Sequence, residues 1–137
     1  MTNVEKAYFF LERTGYYFLL TNDAGQPRGR AFSSRMLHDN RLYITTGNAK
    51  HVYQQIENDP KIEVLAYQMR DGEYMRLDAT AVIDNDPVII KKYLEKEPQV
   101  RGDFEGEAEP QIGMFYLKDA SAEILSLDGS VKERFAF

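Results

Sequence analysis

Apolar and polar residues alternate with a period of two along most of this chain, and with a helical period in three short stretches. Val4, Ala7, Tyr8 and Leu11 share one face of a helix predicted over residues 3–13, and Gly15 supplies a left-handed stop after Thr14. "YYFLLT", Tyr16 to Thr21, has no helical period and predicts a buried strand. "NDAGQP" is a turn. Arg28 to Met36 then form a second, unusually polar strand, hairpinned to the first. After "HDN", Arg41 to Thr46 predict a third strand. Asn48 to Asn58 predict a helix whose inner face is Val52, Gln55 and Ile56, with Asn48 as N-cap and Lys50 in the first turn.

The second half continues the pattern. Lys61 to Gln68 alternate as a strand, "MRDGE" turns the chain, and Tyr74 to Ile83 form the next strand. Asp86 and Pro87 read as an N-cap followed by proline at the first helical position, opening a helix through about Leu94. Residues 98–111 read as an acidic loop that lacks the spacing and central glycine of an EF-hand, so calcium is not expected there. Ile112–Leu117 and Ala122–Leu127 predict two strands joined at Lys118-Asp119, and "LDGS" turns the chain into the tail "VKERFAF". Hairpin-length connections mean antiparallel pairing. A sheet of this size removes its edges best by curling up, so the expected fold is mainly β: a six- to seven-stranded antiparallel barrel with about three short flanking helices. At 137 residues, a single domain over 1–137 is expected.

Composition narrows the chemistry. There is no cysteine, which excludes disulfides, thiol nucleophiles, Cys-ligated zinc and iron–sulfur clusters. The two histidines, His38 and His51, lie in different segments, so no metal site is expected. A net charge of −5 argues against nonspecific nucleic-acid binding. No apolar run reaches about 18 residues and the N-terminus does not read as a signal peptide, so the expected location is cytoplasmic, away from membranes. Neither GxSxG, GxGxxG nor GxxxxGK[ST] occurs, which removes the hydrolase elbow and the two common nucleotide loops.

What remains is basic. Arg28, Arg30 and Arg35 lie on the second predicted strand, and Arg28 and Arg30 share a face. Lys50 opens the helix after the third strand, at the corner "TTGNAK". If those strands are neighbours, this corner offers helix amides, two threonine hydroxyls and cations to a phosphate monoester. The alternative is an ordinary capped helix flanked by solvated cations.

The ordered series "DAGQPRGRAF", "LYITTGNAK", "QIENDPKIEVLAY" and "YMRLDATAVI" resembles the pyridoxamine 5′-phosphate oxidase-like, FMN-binding split-barrel superfamily. It is most similar to the short NimA/NimC-type and general-stress-type branch. The resemblance implies a homodimer with FMN at the subunit interface. It implies that Arg30 and Lys50 hold the FMN phosphate. It implies that Ala31, Phe32 and Ser33 contact the ring and ribityl chain, and that Thr45, Thr46 and Asn48 line the approach. Arg35 falls where the oxidase has a second basic residue, and His51 follows Lys50 near the flavin. The chain is shorter than the true oxidase and lacks its C-terminal segment, so vitamin B6 oxidation is not expected. The implied activity is flavin-dependent reduction of a small acceptor of the nitro or quinone class, with NAD(P)H as electron donor. The alternative is a flavin carrier or sensor without turnover. No catalytic side chain is assigned.

Overall fold

The computed structural model describes residues 1–100 and 112–137. The predicted acidic loop therefore falls largely outside the described residues. Helix α1 (Asn3–Thr14) opens with a capping box between Thr2 and Glu5 and stops at Gly15, whose φ of 77° is the predicted left-handed position. Strands β1 (Tyr17–Asp23) and β2 (Gln26–Phe32) form a hairpin closed by Ala24 and Gly25. Both closing residues have positive φ, 50° and 94°, the turn geometry that matches the twist of the flanking strands.

The single strand expected over Arg28–Met36 is two. β2 ends at Phe32, and a three-residue β3 (Met36–His38) pairs instead with β4 (Arg41–Gly47). The break is fixed by Ser34. Its carbonyl accepts the buried Tyr17 hydroxyl at 2.5 Å. Its Oγ accepts from the Thr45 amide at 3.0 Å and donates to the Thr45 carbonyl at 2.9 Å. A side chain thus occupies the place of a ladder partner on β4.

Helix α2 (His51–Asn58) begins later than expected, and its N-cap is Lys50, not Asn48. A turn with Lys50 N–H on the Gly47 carbonyl at 3.1 Å uses up Asn48 before the helix starts. Strand β5 (Lys61–Gln68), a short 3₁₀ turn at Met69–Asp71 and β6 (Glu73–Ile83) follow as predicted. Helix α3 (Pro87–Lys96) is capped by Asp86, whose carboxylate accepts from the Val88 amide at 2.9 Å.

The two strands expected after residue 111 are one. β7 (Ile112–Ser126) runs unbroken for 15 residues. Asp119 has φ 52°, and the register on β6 shifts between Asp78 and Thr80. Lys118-Asp119 is therefore a bulge that re-aims the alternation without reversing the chain. The tail is an eighth strand, β8 (Val131–Ala136), paired with β7. It buries only Phe135, too weak a pattern to be recognised in sequence.

The antiparallel path is β2-β1-β5-β6-β7-β4-β3, with β8 added on β7. The Ser34 clasp brings the β2 end back to β4 and leaves a split there rather than a closed ladder. The main core fills the barrel with Tyr17, Leu19, Ile44, Val64, Leu77 and Phe115, sealed by α1 and α2. A second, smaller cluster lies outside the barrel wall, where Ile89 and Tyr93 of α3 meet Met36, Tyr43, Ile112 and Met114. Among the described residues no helix is long and apolar enough to cross a membrane.

Candidate functional site

A cavity of about 290 Å³ opens at the split. The chain from β2 to the Ser34 clasp gives it Ala31, Phe32, Ser33 and Ser34. The end of β4 and the α2 cap give Thr45, Thr46, Gly47 and Lys50. Tyr93 of α3, Val100 and Ile112 complete the wall. Six of the residues singled out by the sequence therefore meet here: Ala31, Phe32, Ser33, Thr45, Thr46 and Lys50.

Local structure explains how Lys50 reaches the cavity. Its aliphatic chain lies across Gly47, where an added Cβ would stand 3.4 Å from Lys50 Cγ and 3.5 Å from Cε. No side chain caps α2, and its first turn holds no acid. Helices α1 and α3 carry side-chain caps from Thr2 and Asp86. A lysine at an uncapped helix start is electrostatically unfavourable, because it adds a cation to the positive end of the helix dipole. An anion at that point relieves both.

Behind the corner, Tyr53 fixes α2 to β7. A Cβ at Gly113 would lie 2.6 Å from Tyr53 Cδ2, so only glycine lets the ring sit there. The Tyr53 hydroxyl accepts from Asn85 Nδ2 at 2.9 Å, and Asn85 Oδ1 accepts from the Met114 amide at 2.8 Å. Gly113 pairs with Thr46 across the ladder, so the same contact supports the cavity wall. Nothing in the sequence pattern flags Gly113 or Tyr53 as site supports, because their contact crosses sixty residues.

Four expected residues are not part of the cavity wall. Arg30 turns toward α2. Its Nη1 donates to Thr21 Oγ1 at 2.8 Å and to the Leu19 and Arg28 carbonyls at 3.2 Å, and its Nη2 donates to Gln55 Oε1 at 2.7 Å. These acceptors are all neutral, and burial lowers the Arg30 pKa from its usual value. Arg35 is spent on α1: Nε donates to Glu12 at 3.1 Å and Nη1 to the Ser33 carbonyl at 2.7 Å. His51 is exposed at the start of α2, and Asn48 is half-buried in the preceding turn. Arg28 pairs with Asp23 at 3.5 Å on the surface.

Tyr93 is one of the cavity residues that sequence reading missed, with Ser34, Val100 and Ile112. Tyr93 is buried, and burial pushes its phenol above the usual tyrosine range, with the neighbouring Thr45 side chain as a smaller opposing influence. On the barrel side of the corner, the Thr46 hydroxyl is buried without a partner among the described residues. An unsatisfied buried hydroxyl costs about 1–3 kcal/mol. A donor set of lysine, helix amides and hydroxyls, with one hydroxyl unsatisfied, fits a phosphate-bearing ligand. A wider groove of about 480 Å³ lies elsewhere, over the bulge, and its lining includes Glu63, Asp78 and Asp119. Its acidity suits no phosphate.

An antiparallel barrel split at one seam, with a basic cavity in that seam, is a fold of the flavin-binding oxidoreductase type. The sequence model of the family described as pyridoxamine 5′-phosphate oxidase matches residues 4–115, and the chain belongs to that family. The structure is similar to a NimC/NimA family protein from Clostridium acetobutylicum, 25% identical, with a TM-score of 0.87 over 100% of this chain and 95% of that one. It also resembles General Stress Protein 26 from Bacillus anthracis, 20% identical, with a TM-score of 0.72 and 100% of both chains covered. A pyridoxamine 5′-phosphate oxidase-related, FMN binding protein from Nostoc punctiforme is 18% identical, with a TM-score of 0.71 over 99% of this chain and 91% of that one. No curated protein matches the chain.

Proposed function

We propose that the chain binds FMN in the split and acts as a flavin-dependent oxidoreductase on a small acceptor of the nitro or quinone class. The observation that carries this reading is the uncapped start of α2, with Lys50 at its head, forming one wall of the cavity. FMN ends in a phosphate monoester, the anion such a corner favours. Family membership and the likeness to an FMN binding protein support the same cofactor. When bound, the flavin supplies the electron chemistry, accepting reducing equivalents and passing them on. The chain's part is to bind and orient. Lys50 and the α2 amides take the phosphate, and Thr45 and Ser33 offer hydroxyls along the cavity wall. Ala31 keeps that wall low, and the Ser34 clasp holds it against β4.

The active form on this reading is a homodimer. The cavity is at the bottom of the roughly 300–1,000 Å³ range of ligand sites, too small to enclose a flavin and an acceptor alone. Exposed apolar side chains run along the outer sheet face beside it. Phe18 pairs with Ala31 on one side and Leu65 on the other, and Tyr67 and Leu127 extend the patch. A second copy seated on that face would reach the cavity mouth. Sedimentation equilibrium should give a dimer at micromolar concentration, and a monomer there removes this part of the reading.

Competitive titration tests the cofactor. FMN should bind most tightly, riboflavin about ten- to a hundredfold more weakly, and FAD poorly, because its phosphate continues into a diphosphate. Equal affinity for riboflavin and FMN would mean that the corner holds no phosphate.

A further inference from the structure

The two helical walls of the cavity differ chemically. The α2 end brings the Lys50 cation at the start of a helix with no side-chain cap. The opposite wall brings Tyr93, Val100 and Ile112, an apolar surface on which the Tyr93 phenol is the one hydroxyl among the described residues. A ligand filling a cavity of about 290 Å³ touches both walls.

Tyr93 can be contrasted with its neighbour Tyr43. Both belong to the small cluster under α3. The Tyr43 hydroxyl donates to Asp84 Oδ2 at 2.9 Å and is consumed in holding the chain that leads into α3. Tyr93 instead lines the cavity, and its side chain interacts with that of Thr45 on the same wall. A phenol donates one hydrogen bond and accepts others, so the Thr45 contact does not exhaust it. Burial keeps this phenol protonated across the physiological range, so it stays a neutral donor.

We propose that Tyr93 is a ring-binding residue: its phenol donates a hydrogen bond to the polar edge of the planar heterocycle whose phosphate is held at Lys50. The proposal rests on the FMN reading above and assigns a contact to a side chain outside the β2–β4 seam. A neutral donor at the ring's heteroatom edge interacts more strongly with the electron-rich reduced ring than with the oxidised one. Tyr93 therefore raises the midpoint potential of the bound flavin in addition to helping hold it.

The test uses the FMN-loaded protein and its Tyr93→Phe variant, with Tyr43→Phe as control. Tyr93→Phe keeps the ring that packs under α3 and removes only the hydroxyl. It should lower the two-electron midpoint potential by about 30 mV, the equivalent of a tenfold weaker hold on reduced relative to oxidised flavin. Its affinity for oxidised FMN should fall by less than about tenfold, and its oxidised absorption bands should shift. Tyr43→Phe should change stability but neither the potential nor the bands. An unchanged potential and spectrum in Tyr93→Phe overturns the inference while leaving the FMN reading intact. An equal shift in Tyr43→Phe also overturns it, since the effect would then come from loosening α3. A parent protein that takes up no FMN overturns both.

Discussion

The N-cap of helix α2 and Tyr93 of helix α3 line the same cavity, yet the two helices are held in opposite ways. α2 buries Val52, Tyr53, Gln55 and Ile56, four of its eight residues. Val52 and Ile56 enter the main barrel core, and Tyr53 is locked over Gly113. Gln55 accepts from both Thr21 and Arg30. α3 buries Ile89 and Tyr93, two of ten, in a separate cluster outside the barrel wall. Its last turn is tied by exposed groups: Lys96 Nζ donates to the Arg35 carbonyl at 2.7 Å and lies 3.6 Å from Glu97. A fully buried aliphatic side chain contributes about 1.5–3 kcal/mol, an exposed ion pair about 0–1. The α2 wall is therefore rigid, and the α3 wall can adjust.

The contrast breaks most sharply at Gly113. Gly113→Val drives a side chain into the Tyr53 ring and should cost about 1–3 kcal/mol or more. The melting temperature should fall by several degrees per kcal/mol, and FMN uptake should fall with it. An unchanged melt would show that α2 is not anchored through this contact.

Lys50→Ala separates binding from stability. One charge-assisted contact is worth about 1.5–3 kcal/mol, so FMN affinity should drop roughly ten- to a hundredfold. The empty protein should melt unchanged or slightly higher, because a cation leaves the positive end of α2. Lys92→Ala, on the exposed side of α3, is the control and should alter neither. A Lys50→Ala variant that binds FMN like the parent places the phosphate elsewhere.

Smaller effects are expected on the α3 side. Lys96→Ala removes an exposed tie worth about 1 kcal/mol or less. Amide exchange should quicken across α3 and stay the same in α2; equal α3 protection in parent and variant would show that the small cluster alone holds α3. Smallest is the pH response of the Arg35 link. The Tyr8 hydrogen bond and then Arg35 hold the Glu12 carboxyl below its usual range. Its folded pKa is depressed, so its contribution is fully present above the unfolded value and is lost as pH falls through the folded one. Near-neutral pH should therefore leave the link intact, and exchange around Arg35 should rise only in acid. Glu12→Gln should abolish that acid dependence.

Half-buried strands were legible because alternation survives wherever one face is wet, as in β5 and β6. Legibility failed where one residue carried the geometry. Lys118-Asp119 has turn chemistry but forms a bulge, and Ser34 ends a strand by imitating a backbone partner. The grouping of Thr45, Thr46 and Lys50 in one cavity was readable because the three are close in sequence. Arg30 was expected at that corner, but its rotamer is decided by Gln55, twenty-five residues away. Tyr93 reads in sequence as an ordinary inward residue of an amphipathic helix, and only the fold brings it beside Thr45.

One consequence of the strand path concerns synthesis on the ribosome. Among the described residues β7 is the sole strand laddered to both the β2-β1-β5-β6 group and the β4-β3 pair, which the Ser34 clasp otherwise joins only through a side chain. Both groups lie before it in the chain, so a nascent polypeptide ending near residue 100 holds two sheet fragments with no ladder between them. Vectorial assembly of this barrel must wait for Ile112 onward, and the cavity's last wall arrives with the same stave. Until then the apolar faces of both fragments are open to chaperones, and the corner at Lys50 has no support behind Thr46.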